Sequence, residues 1–299
     1  MAETEELARQ LAGARSGGGA FAIPPRLLLR LSGADALRYL NGQVTRDLGR
    51  LREGEAVACC LLTPKGKLCA TLLVRREGED FVLEADCFLE EILLPRLERY
   101  LVADDVVITA EADPSGVHLF GPLAAEEPWS QLPGISVERL GVPGRDLELS
   151  VAASGILPPL LDQLVVETLR IERGIPRWGR ELTGEILPPE ALLDRTHIDY
   201  DRGCYPGQET ISRLRSIGRV NRILRRLSAP RGSSLRSGME VLDGRGEPLG
   251  TLSSAAMAWD TGCPVALALL PRETSESLSA LDPLTGGKTP LSIAAEPTP

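Results

Sequence analysis

Lysine is nearly missing from this 299-residue chain, present only at Lys65, Lys67 and Lys288, so arginine supplies almost all of the positive charge. That bias fits a GC-rich genome and carries no functional weight. Positive charge is also in deficit, with a formal net charge of -9. A field of that sign opposes phosphate backbones, so no direct nucleic-acid partner is expected. Histidine is as scarce, at His118 and His197 alone. None of the six cysteines (Cys59, Cys60, Cys69, Cys87, Cys204, Cys263) forms a C-x-x-C pair, so a zinc site is not expected. Their irregular spacing in a long chain excludes a secreted disulfide framework and makes reduced cytosolic thiols the default. No apolar run approaches the roughly 20 residues needed to span a bilayer. The opening Met-Ala-Glu-Thr-Glu-Glu is acidic where a signal or transit peptide would be basic. A cytoplasmic, soluble, monomeric protein is expected. The Gly17–Gly19 run lacks the lysine and strand context of a P-loop. The two histidines stand on unrelated segments, which leaves a cysteine hydrolase without a base.

What is present, 43% hydrophobic residues, suffices for a sizeable core and two or three structural units. Residues 3–15 read as a short helix before a flexible Ser16–Gly19 stretch. Leu27–Leu31 reads as a strand, and Ser32 as the cap of a helix carrying Ala36, Leu37, Tyr39 and Leu40. Ala56–Leu62, Leu68–Arg75 and Asp80–Ala85 read as strands, 87–102 as a helix and Val106–Thr109 as a strand. The order β-α-β-β-β-α-β predicts an α+β lobe with ferredoxin-like pieces. A weaker second pass has strands at Val117–Phe120, Ser136–Leu140 and Asp146–Val151 and a helix at about 159–173. From residue 216 short strands (Val220–Leu227, Met239–Leu242, Leu249–Ser253, Val265–Leu269) alternate with Gly and Pro turns and predict a small β-barrel. The last dozen or so residues read as frayed.

Chemistry concentrates in residues 169–227. Leu161, Val165, Thr168 and Glu172 follow in steps of four, three and four, which predicts Glu172 on the buried face of its helix. Gly174 terminates that helix, so the carboxylate sits where the dipole disfavours negative charge and requires donors. A pterin edge offers a planar pair of N–H donors; Arg173 or Arg177 offers a salt bridge instead. Next comes Arg202-Gly-Cys-Tyr-Pro-Gly-Gln-Glu209, whose glycines and proline impose a tight turn before a helix over 208–215. Arginines and a helix N-terminus near Cys204 favour a reactive thiolate, more reactive than the other five cysteines. The opposing reading is a small buried hydrophobe.

These segments, with Leu187-Pro-Pro-Glu190, Gly218-Arg-Val-Asn-Arg222 and Leu249-Gly-Thr-Leu-Ser-Ser254, resemble the YgfZ family of folate-binding proteins, within the aminomethyltransferase (glycine-cleavage T-protein) superfamily. Leu40-Asn-Gly-Gln-Val-Thr-Arg-Asp47 and Leu62-Thr-Pro-Lys-Gly-Lys67 are similar to the family's opening signatures. The match covers most of residues 27–270. It departs at Arg202, where the family usually has lysine, and at Pro189, where it usually has glutamine. The resemblance implies an α+β aminomethyltransferase-like fold with ferredoxin-like subdomains in a ring and a C-terminal β-barrel. It divides the chain into a flexible 1–26, a two-lobed folate-binding region at 27–215, and a barrel with frayed tail at 216–299. It implies tetrahydrofolate or a one-carbon derivative as cofactor. It implies iron–sulfur client or assembly proteins as partners, and an indirect link to tRNA modification. Glu172 would face the pterin and Cys204 would be the functional thiol. Tyr205, Gln208, Glu209 and Arg213 match the rest of the motif, where turn stabilisation and ion pairing compete with ligand contact.

Two rivals remain. A true aminomethyltransferase carries an Asn-Ala pair followed by asparagine and aspartate; this chain has Glu84-Ala85-Asp86-Cys87. A ligand-free interaction module would need no intact Glu172.

Overall fold

In a computed structural model of the chain, residues 2–113, 115–148, 157–216, 218–275 and 277–294 are described. The helix expected over 3–15 is present as α1 (Ala2–Gly17), whereas the stretch after it, expected to be flexible, continues into strand β1 (Gly19–Ile23). Leu7, Leu11 and Ala14 recur at helical spacing and bury one stripe of α1, which holds it down.

The first lobe runs β2 (Arg26–Ser32), α2 (Ala36–Asn41), β3 (Ala56–Leu62), β4 (Leu68–Glu77), β5 (Asp80–Asp86), α3 (Glu90–Glu98) and β6 (Val107–Glu111), the order read from the sequence. Its five strands form a sheet in the order β3-β4-β5-β2-β6. In β4 the buried Leu68, Ala70, Leu72 and Val74 alternate with half-buried residues, so one face meets the core. Ser32 does not cap α2. It ends β2, and Asp35 occupies the N-cap position without a side-chain cap bond.

The second lobe contains β7 (Gly116–Phe120), β8 (Ile135–Arg139), β9 (Val142–Glu148) and α4 (Gln163–Glu172). Its sheet order is β1-β7-β9-β8, so the N-terminal strand completes it from the edge. Leu140 and Gly141 join β8 to β9 with φ of 52° and 69°, the two left-handed residues of a tight hairpin. That turn starts β9 four residues ahead of the expected Asp146; positions 149–151 of the expected strand lie outside the described residues.

After α5 (Gln208–Ser216), strands β10 (Arg222–Ser228), β11 (Glu240–Asp243), β12 (Pro248–Ala258), β13 (Cys263–Pro271), β14 (Leu278–Leu281) and β15 (Lys288–Ile293) close a barrel. Small residues (Ala266, Ala268, Ala280) share its interior with Leu227, Val241 and Leu252. Residues 288–293, expected within the frayed tail, are ordered as β15: residues 288–291 pair with β14, and Leu227 and Ser228 of β10 pair with Ile293 and Ser292. Closure removes the free edges that a four-stranded version would expose.

Candidate functional site

Three of the recognised motifs meet at one joint. Arg202 donates to the carbonyl oxygens of Asn41, Val44 (2.7 Å) and Arg46, and its guanidinium carbon lies 5.4 Å from the Tyr205 ring centre. Asp199 reinforces the seam by accepting from the Asp47 amide at 2.9 Å. On the far side of the turn Gly207 (φ 85°) touches the Thr63–Lys67 hairpin: a Cβ there would lie 2.6 Å from the Thr63 oxygen. Only glycine fits this approach. The turn therefore stitches the 41–47 and 63–67 segments together.

Within it, Tyr205 is buried in the first lobe's core, and burial pushes its hydroxyl pKa up to about 12. Glu209 and Arg213 pair with each other at 2.7 Å on an exposed face of α5, and Gln208 is half-buried at the start of that helix. Cys204 is exposed, which removes the reading of a buried hydrophobe. The arginines expected to surround it are committed elsewhere. Arg202 points inward, Arg213 holds Glu209, and the Arg215 guanidinium lies 4.0 Å from the Tyr200 ring centre. Cys87 is exposed as well, so Cys204 is not alone in its accessibility. Cys59 and Cys60 are sealed in the core, where burial raises the Cys59 thiol to about 12 and Cys60 well above its ordinary range.

Glu172 lies apart from this joint, at the last residue of α4 with 19% of its side chain exposed. The stripe that predicted it is buried through Val165 and Thr168, and the helix end lifts Glu172 half clear. Its partner is neither Arg173 nor Arg177. Arg15 of α1 donates Nε (3.0 Å) and Nη2 to the two carboxylate oxygens, and Nη1 to Asp260 after β12. Arg226 donates to the Glu172 carbonyl oxygen and so satisfies one of the helix's terminal acceptors. The stretch holding Arg15 carries no motif, and its reach to Glu172 has no sequence signal.

A second unforeseen group fixes α4 against the barrel. The fully buried Glu181 accepts from Arg170 Nη1 (3.1 Å), the Arg177 amide (3.1 Å), Ser253 Oγ (2.7 Å) and Ser254 Oγ (2.6 Å). Arg170 also donates to Ser254 at 2.7 Å. The end of α4 with the loop that follows it, and the 249–254 segment, are thus one network held by the Glu181 carboxylate.

Between the two sheets lies a cleft of about 250 Å³ lined among others by Arg26, Arg75, Glu84, Arg139, Asp146 and Glu148. Arg139 is its centre, gripping Glu84 at 2.7 and 2.8 Å and Asp146 at 2.6 and 2.8 Å. Asp146 also bonds the buried His118 Nδ1 at 2.7 Å, and Arg26 joins Glu84 and Asp86 from the other side. Burial alone would raise both carboxyl pKa values. The Arg139 contacts outweigh it at Glu84, and the His118 and Arg139 contacts do so at Asp146, so both lie below their ordinary values. The β5 end at Glu84–Asp86 is thus occupied by structural ion pairs.

No protein-family model matches the chain. The fold is that of the aminomethyltransferases: the glycine cleavage system aminomethyltransferase T of Bartonella henselae superposes with a TM-score of 0.82, covering 97% of this chain and 89% of that one at 19% identity. Among curated sequences, the tRNA-modifying protein YgfZ of Pectobacterium atrosepticum is 28% identical over 220 residues, 66% of each chain. YgfZ of Yersinia pseudotuberculosis is 26% identical over 221 residues, 66% of this chain and 67% of that one. The matched region thus spans just under two thirds of the Pectobacterium protein. The chain is thus similar in sequence to the YgfZ proteins and in fold to aminomethyltransferase T.

Proposed function

We propose that the protein binds tetrahydrofolate or a one-carbon derivative through Glu172 and supports iron–sulfur cluster assembly or repair, and indirectly tRNA modification, without turnover of its own. The carrying observation is the pairing at Glu172. A half-buried carboxylate there receives two adjacent N–H donors from one planar group, the Arg15 guanidinium. A pterin presents the same unit, a ring N–H and an amino group on one carbon, so the donor set suits the cofactor. The aminomethyltransferase fold and the tRNA-modifying relatives support the wider reading. Against catalysis of aminomethyl transfer stands the β5 end, where Glu84 and Asp86 are held by Arg26 and Arg139.

Calorimetric titration with tetrahydrofolate is expected to give saturable 1:1 binding. An aminomethyl-lipoyl carrier added to the same mixture is expected to give no turnover above background. Absence of binding favours a ligand-free interaction module, and site-dependent turnover an aminomethyltransferase.

Cys204 enters this reading as an accessible thiol available to a partner. Cys204→Ser is expected to keep wild-type stability within about 0.5 kcal/mol, because it changes an exposed residue. It is also expected to bind folate normally yet fail to restore iron–sulfur enzyme activity in a deletion strain. Full complementation by the variant would take Cys204 out of the function.

A further inference from the structure

We infer that Arg15 is an internal competitor for the ligand at Glu172, a built-in occupant that folate must displace. This inference rests on the folate reading of Glu172. The guanidinium places one edge, Nε and Nη2, on the two Glu172 oxygens, and turns Nη1 toward Asp260. A carboxylate has one in-plane face for a paired-donor group, so Arg15 and a pterin edge cannot hold it together.

The displacement needs no unfolding. α1 is anchored by Leu7, Leu11 and Ala14, in a cluster that also holds Val165 and Leu169, so the helix can stay docked while the side chain moves. Asp260 gives the released guanidinium a place to remain. The contact links α1, the end of α4 and the turn after β12, three segments distant in sequence. A ligand taking Glu172 would break the part of that link that joins α1 to the end of α4 and leave the part held by Asp260. The side chains of Arg15 and Glu172 are 33% and 19% exposed, so the competing pair is of modest strength. Its removal is expected to tighten binding by roughly 3- to 10-fold.

The test titrates 5-formyltetrahydrofolate, a stable form of the cofactor, into wild type, Arg15→Met, Glu172→Gln and the double variant. Methionine keeps an unbranched aliphatic stem and removes the donors. Arg15→Met is expected to bind 3- to 10-fold more tightly than wild type, and to change nothing when Glu172 is already glutamine. Binding equal to or weaker than wild type in a cooperatively melting Arg15→Met protein overturns the inference while leaving the folate reading intact. If none of the four folded proteins binds, the folate reading fails and takes this inference with it. Should Arg15→Met not fold, Arg15→Lys keeps the charge but loses the paired edge and is expected to give the same direction with a smaller gain. A lysine variant no tighter than wild type then overturns it.

Discussion

Arg139→Leu is expected to lower the unfolding free energy by about 3 kcal/mol at neutral pH, because it removes the shared cationic partner of two buried carboxylates and leaves them only Arg26 and His118. Arg139 bridges Glu84 of the first lobe to Asp146 of the second, and the three side chains are 11%, 10% and 13% exposed. Leucine fills much of the volume but returns none of the four hydrogen bonds, leaving like charges across the cleft. Arg26 still reaches Glu84, which moderates the loss at that end. The pH dependence has a definite sign. In the wild type both carboxyls have folded-state pKa values below their ordinary values, so their stabilisation is present above about pH 4.5 and is lost as the pH falls through the folded values. In the variant, buried carboxyls without Arg139 gain protons more readily, so the gap between the two proteins is expected to narrow on acidification. Denaturant melts at pH 7 and pH 4 measure both effects. A loss under about 1 kcal/mol at pH 7, or a gap independent of pH, would show that the cleft tolerates the charges unpaired.

Glu172→Gln is expected to weaken tetrahydrofolate binding by about 2–4 kcal/mol, a loss of roughly 30- to 1000-fold. The amide presents one acceptor and one donor where the pterin edge presents two donors, so one hydrogen bond is lost and the other pair opposes. The variant also releases Arg15, which recovers a small part of that loss. Its fold should be little affected, since the pair it breaks is partly exposed and Arg226 binds the Glu172 backbone rather than its side chain. Calorimetry on wild type and variant decides the matter. Equal affinities remove Glu172 from the ligand site, and a variant that loses its cooperative melt assigns the residue to stability.

Much of the chain was legible because periodicity and turn residues are local. The β-α-β-β-β-α-β order of the first lobe follows from alternating and helical apolar spacing, and β4 keeps that alternation over eight residues. Where local signals conflict, reading failed. Ser32 has the chemistry of a cap, but Ser32 pairs with Val107 and so belongs to β2. Val142-Pro-Gly144 looks like loop, yet pairing across β8 and β7 holds it extended. Pro, Thr and Ala in the last dozen residues suggested fraying, and barrel closure supplies the partner strands that order residues 288–293. The N-terminal helix could be read, but not its docking.

By itself the sequence determined the fold class, the tight turn around Cys204 and the presence of a carboxylate at the end of α4. These depend on which residues are neighbours along the chain: two glycines and a proline, a stripe in steps of four and three, a glycine just past the helix. Only the tertiary structure decided which charges meet. Arg15 reaches Glu172 across 157 residues, Arg139 reaches Glu84 across 55, and Arg202 turns away from Cys204 to carbonyl groups more than 150 residues distant. A flexible charged side chain has several partners open to it, and local sequence does not rank them. The choice falls to the packing of α1 on α4 and of the two sheets on each other, which sets which opposite charges are desolvated together.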